Sequence, residues 1–173
     1  MKRSWLPILL LASSVLVSSR TRAAAGQKEI WRGWDQGLRE ASASRRPVLV
    51  DVYTDWCGWC KRMDRDVYVR SDVREYLSHR FVAIKLNAES AASASYQGKT
   101  FTSRSLAARF RVDGYPTTIF LRPGGEHMAN VPGYLDADRL LLLLHYIGDG
   151  YLDRGVSFDE FVKRSSGAPP KRK

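Results

Sequence analysis

Residues 48–61 read Val48-Leu49-Val50-Asp51-Val52-Tyr53-Thr54-Asp55-Trp56-Cys57-Gly58-Trp59-Cys60-Lys61, and this stretch decides the fold. Its first six residues are apolar except for Asp51, the pattern of a strand buried on both faces. Helix-compatible sequence follows from Cys60 to Asp66. Two cysteines with two residues between them therefore stand at a strand-to-helix junction. Unpaired N–H groups and the dipole at a helix start favour a thiolate, which marks Cys57 as the attacking sulfur. The spacing lets Cys60 attack a mixed disulfide formed on Cys57 and release the product.

Other uses of the pair weigh less. A structural disulfide between Cys57 and Cys60 would close a tiny loop and stabilise little. A metal site would need further ligands, and His79, His127 and His145 have no ligand-like spacing to the cysteines. Haem attachment needs a histidine after the second cysteine, where Lys61 stands. No metal and no separate cofactor is expected, and a redox-active Cys57–Cys60 disulfide is preferred over a structural one.

Outward from the pair, helix and strand alternate. Trp34 to Ala43 suits a short helix, and Asp72 to His79 another, with Ser71 as its N-cap. Phe81 to Asn87 is a second apolar strand. Ala88 to Phe101, rich in Ala, Ser and Gly, reads as a long loop that either shapes a substrate groove or is a passive surface insertion. Thr102 or Ser103 caps a helix through Phe110. Thr117 to Leu121 is a third strand, turning at Pro123-Gly124-Gly125 into His127 to Val131. Asp136 to Tyr146 is a strongly apolar helix, and Ser157 to Lys163 a short one with capping-box spacing. These elements give an α/β domain with one mixed sheet covered on both faces.

The ends differ from this middle. Lys2 and Arg3 precede an apolar run from Trp5 to Val17, and Ala23-Ala24-Ala25 supplies small residues for cleavage after Ala25. That is the layout of a signal peptide over residues 1–25, which directs a chain to a secreted or periplasmic location. A retained anchor is the weaker reading, because a span needs roughly 20 apolar residues. The domain then occupies residues 26–164. Residues 165–173, ending in Lys171-Arg172-Lys173, read as a disordered basic tail.

Composition sets outer limits. With 173 residues, 44% of them hydrophobic, the chain can bury one core and is not wholly disordered. Two cysteines exclude a disulfide-rich scaffold and a four-thiolate zinc site. Removing residues 1–25 takes away four basic residues and lowers the net charge from +10 to +6. No basic run is interleaved with aromatics, so nucleic acid is not an expected partner.

Trp56-Cys57-Gly58-Trp59-Cys60-Lys61, with Asp51 six residues before Cys57, resembles the active-site region of the thioredoxin family. Lys85 matches the lysine that accompanies the family's buried acid, Tyr115-Pro116-Thr117 its cis-proline loop, and Gly133 the glycine after its last strand. The resemblance runs from about Val48 to Tyr146 and implies a thioredoxin-like fold. Bacterial secreted thioredoxin-related proteins are the most similar in pattern. It further implies that Asp51 takes the proton of Cys60, though a structural acid neutralised by Lys85 is the alternative. Trp56, Gly58, Trp59, Tyr115, Pro116, Thr117 and Gly133 would then receive an extended substrate. Trp59 replaces the proline common inside the motif, so the family's redox potential does not carry over.

The activity so implied is extracytoplasmic thiol–disulfide exchange on protein disulfides, with reduction favoured. Partners would be substrate proteins bearing disulfides or thiols, and a membrane electron donor such as a DsbD-like conduit. The chain would act as a monomer. A disulfide oxidase or isomerase, or a non-catalytic binding or chaperone module, are the alternatives.

Overall fold

The computed structural model describes residues 29–166; the segment read as a signal peptide and most of the segment read as a basic tail lie outside them. Seven strands, β1 (Trp31–Arg32), β2 (Val48–Tyr53), β3 (Val82–Asn87), β4 (Ser93–Tyr96), β5 (Lys99–Thr102), β6 (Thr117–Leu121) and β7 (His127–Pro132), form two sheets. Six helices accompany them: α1 (Trp34–Ser44), α2 (Gly58–Asp66), α3 (Ser71–Arg80), α4 (Ser103–Arg109), α5 (Ala137–Gly148) and α6 (Phe158–Ser166). The main sheet has the order β1-β3-β2-β6-β7. β1, β3 and β2 run parallel, β6 runs antiparallel to β2, and β7 runs antiparallel to β6.

Side-chain alternation along the central strands sorts the core into two layers. Val48, Val50, Val52, Ile84, Leu86, Ile119 and Leu121 point to the layer of α1 and α4. Leu49 and Phe120 point the other way, into a layer with Met63 of α2, Leu77 of α3 and Leu140 and Leu144 of α5. By the same alternation Asp51, Lys85 and Thr118 face this second layer. A mixed sheet with helices on both faces is the architecture expected from the sequence.

Several local readings are corrected. Ser71 does not cap α3 but is its first residue; Arg70 holds the cap position, and no side-chain cap bond forms there. α6 reaches Ser166, two residues into the segment read as tail. The two-residue strand β1 was too short to leave a pattern in the sequence.

The largest difference concerns Ala88 to Phe101, which is not a loop. It folds into the β4–β5 hairpin, turning at Gln97 and Gly98 with φ of 49° and 73°. Two consecutive left-handed residues make the primed turn whose twist suits a two-residue hairpin. Ala94 and Tyr96 are buried by it. Trp34 Nε1 donates to Ser95 O at 2.8 Å, and Ser95 N donates to Asp35 Oδ1 at 2.8 Å, pinning the hairpin to α1. Tyr96 also stacks on Phe110 at 5.0 Å and reaches Gly125, in the turn between β6 and β7. That turn lies at the end of the sheet opposite Cys57, because β6 runs antiparallel to β2. The hairpin therefore runs down the α1 face, away from the cysteines, and its tip lines no groove beside them.

Candidate redox site

β2 ends at Tyr53, and four residues later Cys57 becomes the N-cap of α2. Its Sγ accepts a hydrogen bond from the Cys60 N–H at 3.0 Å, using one of the donors that a helix start leaves unpaired. Cys57 and Cys60 form a disulfide, with residue exposures of 4% and 2%. Cys60 lies one turn before Met63 and shares its buried face. Gly58, the first residue of α2, has open space where a side chain would stand.

Around the sulfurs the surface is aromatic. Trp56 is 68% exposed and Trp59 is 55% exposed, a pairing of large apolar groups with water that marks a recognition surface. Trp56 meets Tyr115 edge-on at 6.0 Å and donates through Nε1 to Glu89 Oε1 at 2.9 Å. Trp59 turns to the other side, against Tyr134 at 5.3 Å. Arg62, one turn on in α2, covers Trp59 and Tyr134 at 5.4 and 5.8 Å. The rim thus has two separate walls: Trp56 with Tyr115, and Trp59 with Tyr134.

The Tyr115–Pro116 peptide bond is cis and leads into β6. Gly133, with φ of 88°, donates its N–H to Pro116 O at 2.8 Å and so ties this turn to the end of β7. A left-handed φ of this size is one that glycine adopts without steric cost. Thr117 is buried, and its hydroxyl donates to Gly114 O at 2.7 Å. Its side chain holds the turn rather than facing solvent.

Beneath α2 lies a charged group. Asp51 is 1% exposed, and Lys85 Nζ donates to its Oδ2 at 2.5 Å. Lys85 also pairs with Asp64 of α2, and its ammonium lies 4.7, 5.1 and 5.3 Å from the rings of Trp31, Tyr53 and Tyr68. Burial pushes the Asp51 carboxyl above the usual carboxylate value, and the Lys85 ammonium only partly offsets this. Burial pulls Lys85 down, but the carboxylates of Asp51 and Asp64 outweigh it and hold the ammonium above the ordinary lysine value. The pair expected from sequence is thus a triad that runs from the buried Asp51 through Lys85 to the half-exposed Asp64.

Asp64, Tyr134, Arg62 and Glu89 were absent from the sequence reading. Asp64 and Arg62 had a legible signal, since they fall four and two residues after Cys60 on the same helix. Tyr134 and Glu89 had none, because their approach depends on how β7 and β3 are placed.

The thioredoxin-like domain family matches residues 34–148. The chain belongs to that family. Its sheet order and helix placement are those of the thioredoxin-like fold. The thiol:disulfide interchange protein DsbD of Ralstonia nicotianae is 33% identical over 111 residues, which is 64% of this chain and only 17% of that protein. A thioredoxin from Thermus thermophilus superposes with a TM-score of 0.58 at 25% identity, over 72% of this chain and 91% of that one. A thioredoxin-fold protein from Helicobacter pylori gives a TM-score of 0.64 at 18% identity, over 82% and 91% of the two chains, a likeness of fold alone. Among the described residues, no helix is long and apolar enough to cross a membrane, and no group of three or more His, Cys, Asp or Glu is placed to hold a metal.

Proposed function

We propose that the chain is an extracytoplasmic thiol–disulfide oxidoreductase that reduces protein disulfides. One observation carries this reading: the Cys57–Cys60 pair caps a helix, with the Cys60 N–H directed at Cys57 Sγ, in the middle of an exposed aromatic surface. The same N–H would stabilise a Cys57 thiolate once the disulfide is reduced.

The chemistry runs in two exchanges. The Cys57 thiolate attacks one sulfur of a substrate disulfide, forming a mixed disulfide and expelling the other substrate sulfur as a thiolate. Cys60 gives its proton to Asp51, attacks Cys57 Sγ and releases the second substrate thiolate. The substrate gains two electrons, and the enzyme is left as the Cys57–Cys60 disulfide. Lys85 holds Asp51 in place. Trp56, Gly58, Trp59 and Tyr115 receive the substrate chain, while Pro116, Thr117 and Gly133 shape the strand edge on which it lies.

The 33% identity to a thiol:disulfide interchange protein favours exchange chemistry. A reductase outside the cytoplasm must itself be re-reduced, which calls for a membrane electron donor such as a DsbD-like conduit. The N-terminal Lys-Arg, apolar run and Ala-Ala-Ala favour export. The test is a Cys60→Ser trap in cells. A partner disulfide-linked to Cys57, absent in the Cys57→Ser control, supports the reading, and a strongly oxidising potential for the couple would turn it towards an oxidase. If nothing accumulates on Cys57, the reading fails.

A further inference from the structure

Among the described residues, four buried side-chain oxygens have no hydrogen-bond partner: Asp51 Oδ1, Thr54 Oγ1, Tyr68 Oη and Thr118 Oγ1. Three of these belong together. Asp51 on β2 stands directly opposite Thr118 on β6, and opposed residues of an antiparallel pair project from the same face. Tyr68, just beyond α2, is packed into the layer under that face. Its ring lies 5.3 Å from the Lys85 ammonium that holds Asp51 Oδ2. Leaving three such oxygens unpaired in a dry interior carries the full desolvation penalty of each. Two hydroxyls and a carboxylate oxygen are chemically complementary, as donors and acceptor.

We propose that Tyr68 is a positioning residue for the proton step at Asp51, with Thr118 as its companion, an inference that rests on the oxidoreductase reading above. Lys85 occupies Oδ2, so Oδ1 is the oxygen that receives the Cys60 proton. A hydroxyl both donates and accepts by rotating. When Asp51 is ionised, Tyr68 and Thr118 donate to Oδ1; when it is protonated, the new O–H donates to one of them. Both states of the carboxyl are therefore satisfied without moving the backbone. In the balanced step, the Cys60 proton goes to Oδ1 and the Cys60 electron pair forms the bond to Cys57 Sγ. The Cys57–substrate bond breaks, and the substrate sulfur leaves with that pair.

The charged and titratable groups acting on Asp51 are Lys85 from β3, Asp64 from α2 and Tyr68 beyond it, with the neutral Thr118 on β6; the proposal adds Cys60 of α2 as the proton donor. Burial and then the Asp51 charge drive the Tyr68 phenol well above its ordinary value, so it stays protonated and remains a donor. A bond donated by it to Oδ1 favours the ionised carboxyl, in opposition to burial.

The experiment compares wild type, Tyr68→Phe, Thr118→Val and Thr118→Ser. Tyr68→Phe keeps the ring that meets Trp31 edge-on at 4.8 Å and removes only the hydroxyl. Asp51 is titrated by carboxyl carbon NMR in the reduced chain, and single-turnover reduction of insulin is followed against pH. In Tyr68→Phe the Asp51 titration and the acidic limb of the rate should both rise by about one pH unit, making the rate about tenfold lower on that limb. The plateau at higher pH should not change. Thr118→Val should shift both in the same direction by less, and Thr118→Ser should restore them. Folded variants whose Asp51 titration stays within about 0.2 unit of wild type would overturn the proposal. Should Tyr68→Phe not fold, the two Thr118 variants decide it. The NMR titration needs no turnover, so a wild-type chain that reduces no insulin defeats the oxidoreductase reading while leaving the Tyr68 relationship separately tested.

Discussion

Lys85 Nζ lies 2.5 Å from Asp51 Oδ2, on the side of the sheet covered by α2, and the same ammonium reaches outward to Asp64. One cation thus links an acid that is fully buried to one that is half exposed. Asp51 can change its charge without stranding Lys85, because Asp64 remains its partner. Such an arrangement suits the proton acceptor proposed above, and it makes the cost of the Asp51 charge measurable.

Replacing Asp51 by Asn should stabilise the oxidised protein at neutral pH, because it removes a carboxylate whose burial the Lys85 ammonium only partly offsets and leaves Lys85 paired with Asp64. The sign follows from the raised native value of Asp51, whose first cause is burial. Between the unfolded carboxyl value of about 3.9 and the higher native one, the folded state holds more protons than the unfolded state. Wild-type stability therefore falls as pH rises through that window, while Asp51→Asn does not follow it. Urea denaturation should show the two proteins converging below about pH 4 and separating above it. A variant less stable than wild type at pH 8 would show instead that the ion pair is net stabilising.

Trp59 and Tyr134 make the second prediction. They stack at 5.3 Å under the Arg62 guanidinium, and Trp59 remains more than half exposed. Such a wall can hold a polypeptide next to the sulfurs but has little to offer a small disulfide. Trp59→Ala should raise KM for insulin by about three- to tenfold, the loss of an aromatic contact worth roughly 1 kcal/mol. Reduction of oxidised glutathione should stay within about twofold of wild type, and stability within about 0.5 kcal/mol, as for surface substitutions generally. Equal losses on both substrates would place Trp59 in the chemistry rather than in recognition.

Much of this was legible in the sequence because the signals were local. The apolar run from Val48 to Tyr53, the cysteines at a helix start and the Thr102 cap of α4 each depend on neighbours along the chain, and the structure has them. Asp51 stood out as the single acid in an apolar strand. Its surroundings did not, because Thr118 meets it only through the register of β2 with β6, and Tyr68 only through packing. The division of the rim into two walls likewise required the position of Gly133 and Tyr134 after β7. The hairpin at 93–102 was a different failure. Its turn is Gln97-Gly98 rather than the commoner Asn-Gly, and short strands rich in Ser, Thr and Ala carry little hydrophobic contrast.

That hairpin supplies the last prediction. Tyr96 is buried between Trp34 and Phe110, at 5.9 and 5.0 Å, while the segment leading into the hairpin meets the redox site where Glu89 accepts from Trp56. The tip should therefore matter for stability and not for exchange. Tyr96→Ala should cost about 3 kcal/mol, as for other large aromatic truncations in a core. Gly98→Ala, at a φ of 73°, should cost about 1 kcal/mol through backbone strain alone. Both variants, assayed at a temperature where they are folded, should reduce insulin within about twofold of wild type, since neither touches the cysteines or the aromatic walls. Glu89→Ala tests the base of the hairpin by the same assay. It frees Trp56 Nε1 and should alter KM for insulin while leaving stability nearly unchanged. A Tyr96→Ala protein that is fully folded yet slow on insulin would mean that the hairpin does shape the groove, through an effect transmitted along β4 to Glu89.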